Sequence, residues 1–267
     1  MFIIGELINC TRKRVGAAAQ NRDAEFIREV ARSQANAGAD MLDVNGGIAG
    51  QEAECLAWLV EVVQEAVETP LCLDSSDPQA LEKALPLCKQ RPMINSITDE
   101  PARFQAVLPL LKEFRPKVVA LCMSAAGPPS GIEDRVATAC RLVDRLTAEG
   151  MALDDIYVDP CVLPSSTGPE HGKAILEAVD QIKARYPGAH ISAGVSNVSY
   201  GLPLRKLLNE VFLVLLMGRG LDAAIVDPCD QQLMMNLRAA EALLGRDEYC
   251  VNYLRAYREG KMQLKAA

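Results

Sequence analysis

Along the chain, short apolar runs alternate with longer stretches whose apolar residues recur every three or four positions. The first pattern suits parallel strands buried on both faces, the second helices with one face on a core. The expected strands are Phe2 to Leu7, Met41 to Val44, Leu71 to Asp74, Met93 to Asn95, Val118 to Cys122, Ile156 to Val158, His190 to Ala193 and Ala223 to Val226. Between the first two, Asp23 is placed to cap a helix carrying Phe26, Ile27, Val30, Ala31 and Ala35, which Gly38 closes. A helix with Leu56, Leu59, Val60, Val63 and Val67 stops before Pro70. Asp77-Pro78 and Asp99-Glu100-Pro101 open further helices with proline at the first helical position. Later helices carry Val136, Cys140, Val143 and Leu146, then run from about Glu170 to Arg185, then carry Leu207, Leu208, Phe212 and Leu215, and finally span Gln231 to Leu244.

Strand and helix thus alternate eight times at a repeat of roughly thirty residues, which favours an α/β fold of the (β/α)8 TIM barrel type over an open doubly wound sheet. No glycine-rich phosphate turn follows the first strand, and the fingerprint-like Gly218 to Ala223 precedes a strand where it should follow one. No linker divides residues 1–267, so a single domain is expected, with 245–267 a polar, helical C-terminal tail. The strand ends of such a barrel share one rim. Here they carry Asp43, Asn45, Asp74, Asn95, Asp159, Asn197 and Asp227. Asn45-Gly46-Gly47 is expected to be a flexible exit loop.

Composition narrows the partners. A net charge of -7 and a pI near 5.1 leave no basic stripe, and five Phe, six Tyr and one Trp give little for bases to stack on, so nucleic acid is excluded as a partner. Val211 to Met217 is too short to cross a bilayer, and the chain opens on Phe2-Ile3-Ile4 without a signal-sequence pattern; a cytoplasmic protein without membrane contact is expected. Nine cysteines form no CxxC pair, so reduced, structural thiols are expected and no bound metal. Two histidines give a Ser-His-Asp or Cys-His machine little to work with.

Four carboxylates on one rim have three readings. Capping of turns and helices explains Asp227 in its Asp-Pro turn and extends to Asp43. A magnesium site would draw on carboxylates, but phosphate handling would add Lys or Arg, which these tips lack. An acid-and-amide pocket without cations also suits a flat neutral heterocycle. The amino-pyrimidinone edge of a pterin sets a ring N–H beside an exocyclic amino group, and one carboxylate accepts both. Asp74 and Asp159 are the natural acceptors, with Asn95 and Asn197 reading ring nitrogens and the carbonyl.

The ordered motifs IIGE and IN at 3 to 9, LDVN at 42 to 45, LCLDSS at 71 to 76, MINS at 93 to 96, YVDP at 157 to 160, SNVS at 196 to 199 and GLDAAIVDPCD at 220 to 230 resemble the methyltetrahydrofolate:corrinoid methyltransferases over nearly the whole chain. The resemblance implies transfer of a methyl group between 5-methyltetrahydrofolate or tetrahydrofolate and the cobalt of a corrinoid (cobalamin type), in a direction left open. It implies that Asp74, Asn95 and Asp159 hold the pterin ring, that Ser196 and Gly194 line it, that Asn197 and Asp74 serve the methyl-bearing nitrogen, and that Arg205 lies by the p-aminobenzoate side. It also implies a homodimer. No Asp-x-His-x-x-Gly segment is present to ligate cobalt, so the corrinoid is expected on a separate protein, with loops 125 to 131 and 163 to 169 as docking edges. Dihydropteroate synthase shares the pocket, but such enzymes carry a Ser-Arg-Lys type cluster where this chain has Ser196-Asn197. A non-catalytic folate-binding subunit is the other alternative.

Overall fold

The computed structural model describes residues 1–262. Eight parallel strands run in the spatial order β7-β6-β5-β4-β3-β2-β1-β8 and form a barrel inside a layer of helices. β1 (Phe2–Asn9), β2 (Met41–Asn45), β3 (Leu71–Asp74) and β4 (Met93–Thr98) make one half. β5 (Lys117–Leu121), β6 (Ile156–Asp159), β7 (His190–Ile191) and β8 (Ala223–Val226) make the other. The barrel closes through an Ile225 N–H to Ala193 carbonyl bond of 2.9 Å, since β7 is two residues long and not the four expected from sequence. Chain that would have continued β7 turns instead into a 3-10 segment, Val195–Ser199.

The first half of the barrel is followed by α1 (Lys13–Gln20), α2 (Ala24–Ala37), α3 (Glu52–Ala66), α4 (Pro78–Ala84) and α5 (Pro101–Phe114). The second half carries α6 (Ile132–Ala148), α7 (His171–Arg185), α8 (Arg205–Arg219), α9 (Gln231–Leu243) and α10 (Val251–Arg258). Local chemistry sets many ends. Asp23 accepts from the Phe26 N–H, Asp77 accepts from the Gln79 N–H, and Gly38 takes φ +99° to end α2. The expected tail at 245–267 contains α10, and residues 263–267 lie outside the described residues.

Three helical details depart from the sequence reading. α1 was not foreseen: its short run of alanines packs Val15, Ala18 and Ala19 inward without an extended periodic stripe. In α6 the buried face runs through Arg135, Thr138, Ala139, Leu142, Val143 and Leu146, leaving Val136 and Cys140 half-buried. Arg135 is drawn in because its guanidinium donates to the carbonyls of Pro160 and Gly131, both at 3.0 Å, tying α6 to the exit of β6. In α8 the core takes Phe212, Leu213, Leu216 and Met217, while Leu207, Leu208 and Leu215 face outward.

Inside the barrel, Ile4, Met41, Cys72, Met93, Val119, Tyr157, Ala223 and Ile225 form an apolar plug separate from the main core between strands and helices. Below it Lys117 donates to the Tyr157 hydroxyl at 2.9 Å, and His190 stacks on that ring at 4.5 Å. The nine cysteines are unpaired, but Cys229 and Cys250 are exposed, so packing does not account for those two.

The exit of β2 is packed, contrary to the expected flexible loop. Gly46 is buried, and a Cβ there would stand 2.6 Å from the Leu56 backbone nitrogen and 2.8 Å from its Cα. Gly46→Ala therefore has to displace the start of α3, and a loss of about 1–3 kcal/mol in urea or thermal unfolding is expected. A melting temperature unchanged from wild type would show that the contact yields freely.

Candidate active site

Side chains of a strand alternate between faces, so the residue two beyond each member of the apolar plug also points into the barrel. Two beyond Ile4, Met41, Cys72, Met93, Tyr157 and Ile225 lie Glu6, Asp43, Asp74, Asn95, Asp159 and Asp227. Ala223 is followed two positions on by Ile225, itself in the plug, and Val119 by Leu121, so β5 is the strand of this set that adds no polar residue to the upper layer. The C-terminal mouth is thus a polar ring resting on an apolar floor.

Hydrogen bonds join neighbouring members of the ring. Asn45 Nδ2 donates to Asp74 Oδ2 at 2.9 Å, and Asn95 Nδ2 donates to Asp43 Oδ1 at 3.1 Å. Asp43 is buried and caps no helix, so the capping expected of it is incorrect; it orients the Asn95 carboxamide. Asp227 does close its own turn, accepting from the Cys229 N–H at 2.9 Å. Asp159 is buried and accepts from the Cys161 N–H at 2.8 Å. Among the described residues, the second oxygen of Asp74, the Asn95 carboxamide oxygen and the whole Asn197 carboxamide have no side-chain hydrogen bond. These groups remain open to a ligand.

Electrostatics follow from burial. Asp159 is pushed up to about 6 by desolvation, with the N–H groups of Cys161 and Gly194 opposing. Asp43 is raised well above the usual carboxylate range by burial and then by the charge of Asp74. Asp74 is raised by burial, against its bond from Asn45. A ring of carboxylates held above their normal range suits a ligand that brings N–H donors, because donated hydrogen bonds restore what desolvation removed.

The last wall of the mouth is the Val195–Ser199 turn. Asn197 is exposed on it, and its Nδ2 lies 3.1 Å from where a Cβ on Gly194 would be, so the glycine leaves room for the carboxamide over the ring. Arg205 Nη2 donates to the Ser196 carbonyl at 2.7 Å and Nε to the Ser199 hydroxyl at 3.1 Å. Arg205, at the first residue of α8, therefore clamps the turn that carries Asn197.

Three contributors were missed from sequence. The first strand was expected to end near Glu6 and Asn9, yet Glu6 was not counted on the rim, although the two-residue step from Ile4 points to it. Arg12, beyond the strand tips, reaches Glu6 at 2.6 Å, so the mouth is not without cations. Arg103 in α5 donates to the carbonyls of Ser75 (2.8 Å), Ser76 (2.8 Å) and Ser96 (2.6 Å), fastening the exit of β3 to the irregular middle of β4 beside Asn95. Neither arginine has a sequence signal, since both act through loop carbonyls or a partner brought close only by folding. At the opposite end of the barrel a surface cleft is lined by Arg91, Leu108, Lys112 and Glu149, but Arg91 and Lys112 are already paired with Asp155 and Glu149. Among the described residues no group of three His, Cys, Asp or Glu is disposed to hold a metal.

A parallel barrel whose mouth is ringed by carboxylates and carboxamides over an apolar floor offers hydrogen-bond acceptors that suit a flat, N–H-rich heterocycle. The chain belongs to the pterin binding enzyme family, matching it over residues 5–227. It is 39% identical over 265 residues to the methylcorrinoid:tetrahydrofolate methyltransferase of Eubacterium limosum, with 98% of each chain covered. To the methionine synthase of Mycobacterium leprae it is 30% identical over 245 residues, 85% of this chain, and spans 20% of that protein's length. The dihydropteroate synthase of Yersinia pestis superposes with a TM-score of 0.69 over 91% of this chain and 94% of its own, at 16% identity. That of Thermus thermophilus gives 0.65 over 87% and 92%, at 20% identity. At such identities the likeness is one of fold.

The raised Asp159 has a consequence for stability. Its carboxyl titrates higher folded than unfolded, from 3.8 to about 6, so folding takes up a proton between those values. Stability from this group is fully present below the unfolded value and is lost as pH rises through the folded one. Asp159→Asn, which keeps the oxygen facing the Cys161 N–H, is expected to stabilise the ligand-free protein by about 1–3 kcal/mol near neutral pH. Thermal melts repeated in acid should show the gain vanish; a gain independent of pH would exclude titration of Asp159 as its source.

Proposed function

We propose that the protein is a methyltransferase that moves a methyl group between the cobalt of a separate corrinoid protein and the folate nitrogen of tetrahydrofolate. The observation that carries this reading is 39% identity across 98% of both chains with an enzyme of that name. The polar mouth supports it independently. Asp74 and Asp159 accept from the ring N–H and amino group of the pterin, and the open oxygen of Asn95 faces the remaining ring edge. The relative's name, methylcorrinoid to tetrahydrofolate, favours the direction in which folate is the acceptor.

In that direction the folate nitrogen attacks the methyl carbon. A carbon–nitrogen bond forms, the carbon–cobalt bond breaks with its electron pair left on cobalt, and the nitrogen passes its proton to water at the open mouth or to a rim carboxylate such as Asp74. Asn197 stands at the open side of the mouth, where its carboxamide oxygen can accept from the N–H as positive charge develops. A corrin ring is too wide for the barrel, so the corrinoid protein has to present the methyl from above, with the loops at 125–131 and 163–169 as docking edges. Arg205 serves the folate indirectly, by holding the Asn197 turn, with its flank toward the p-aminobenzoate side. A diphosphate-handling synthase is disfavoured because Ser196 and Asn197 stand at the β7 exit and Arg205 is already engaged there. A cytoplasmic setting fits nine unpaired cysteines.

Free methylcobalamin mixed with tetrahydrofolate and the protein should lose its methyl group at a rate that scales with protein, followed by absorbance of cobalt(I). Asn197→Ala is expected to lower that rate constant by about 10–100-fold with less than about threefold change in folate Kd. An unchanged rate would remove Asn197 from the mechanism. Folate binding without turnover in wild type, even with corrinoid proteins supplied, would support the binding-subunit alternative.

The chain also pairs with a second copy in this reading. Leu207, Val211 and Leu215 are exposed at helical spacing along α8, and exposed Leu204 stands just before its first residue. Leu207→Asp combined with Val211→Asp should convert a dimer to a monomer by light scattering; a wild type that is already monomeric would refute the contact.

A further inference from the structure

Glu6 is a rim carboxylate that the pterin contacts leave unused. Its side chain is 15% exposed and sits at the bulge where β1 changes register between Gly5 and Ile8. The bulge is held from behind, because the Leu7 N–H that it frees donates at 2.9 Å to the fully buried Gln34 of α2. A Cβ on Gly5 would stand 2.5 Å from the same Gln34 oxygen, so glycine is what lets that side chain reach the strand. Glu6 is thus fixed by the backbone on both sides. Its Oε1 accepts from Arg12 at 2.6 Å, and its Oε2 accepts from the Ser196 hydroxyl at 3.0 Å.

Ser196 directly precedes Asn197 in the 3-10 turn, and Arg205 holds the other side of that turn through the Ser196 carbonyl and the Ser199 hydroxyl. β7 ends at Ile191, and beyond it the backbone is tied by a bridge between Gly194 and Ile225 and by the Ser165 N–H on the Val198 carbonyl at 2.9 Å. Buried Val195 and Val198 seat the turn, and at Ser196 and Ser199 it is further held by side chains reaching in from two elements far apart in sequence, Glu6 and Arg205. We propose that Glu6 is a positioning residue for methyl transfer, which through Ser196 holds the turn so that the Asn197 carboxamide stays aimed at the reacting nitrogen. The inference rests on the methyltransferase reading. Displacement of an aligned group by about 1 Å is enough to cost on the order of 100-fold in rate, whereas binding of the pterin edge by Asp74, Asn95 and Asp159 does not pass through Glu6.

The test uses the full chain with free methylcobalamin and tetrahydrofolate, and compares rate constant with folate Kd. Glu6→Ala and Ser196→Ala should each lower the rate constant by about 10–100-fold with Kd within about threefold, and the double variant should be no slower than either single one. Glu6→Gln, which still offers Ser196 an oxygen, should stay within about threefold of wild type and covers the case in which Glu6→Ala fails to fold. Single-variant losses that multiply, a Glu6→Gln loss well beyond threefold, or a Glu6→Ala rate equal to wild type would each overturn the role of Glu6 while leaving the methyltransferase reading intact. Absence of transfer by wild type would overturn that reading and the inference with it.

Discussion

The two-residue alternation of a β-strand is the constraint on which this molecule depends. Each strand that puts an apolar side chain into the centre of the barrel must aim the residue two positions on into the same lumen, one layer higher. Met41 with Asp43, Cys72 with Asp74, Met93 with Asn95 and Tyr157 with Asp159 are four instances of one geometric rule. The floor and the functional ring are therefore a single device. A one-residue slip in any strand would turn both layers outward together, so packing of the plug enforces the register of the site.

That arrangement works against stability in a defined way. Carboxylates in the ring are desolvated by the walls that support them and lie close enough to raise one another, as Asp74 does for Asp43. Except at Glu6, which Arg12 meets, the protein offsets the cost with carboxamides and backbone N–H groups: Asn95 on Asp43, Asn45 on Asp74, and the Cys161 N–H on Asp159. Neutral donors relieve the desolvation without filling every acceptor, which leaves oxygens for a ligand's N–H groups. A lysine or arginine in the same place would have lowered the carboxyls further and competed for those oxygens.

Rigid and adaptable parts of the mouth are separated along the chain. Asp74, Asn95 and Asp159 stand on strands whose ladders fix them to the core, and Arg103 and Arg135 fasten the loops that leave those strands. Asn197 instead stands on a short turn after a truncated strand, held by side chains from β1 and α8. The half of the mouth proposed to bind the pterin is built into the barrel. The half that carries Asn197 is seated by buried Val195 and Val198 and tied down by hydrogen bonds.

The sequence by itself determined the barrel and its eight strands, and it put Asp43, Asp74, Asn95 and Asp159 toward the C-terminal ends of theirs, because hydrophobic period and strand-end polarity are local properties that survive in one dimension. Leu71–Asp74 and Ala223–Val226 lie where the apolar runs place them. Tertiary structure alone decided which polar groups touch. It made Asp43 a partner of Asn95 where a cap was expected, brought Ser196 to Glu6 across a separation of 190 residues, and ended β7 after two residues, where the chain turns into the 3-10 segment that carries Asn197. It also turned Leu207 and Leu215 outward and Arg135 inward, a choice between faces of an apolar helix that depends on what lies opposite and so leaves no mark on the helix's own spacing.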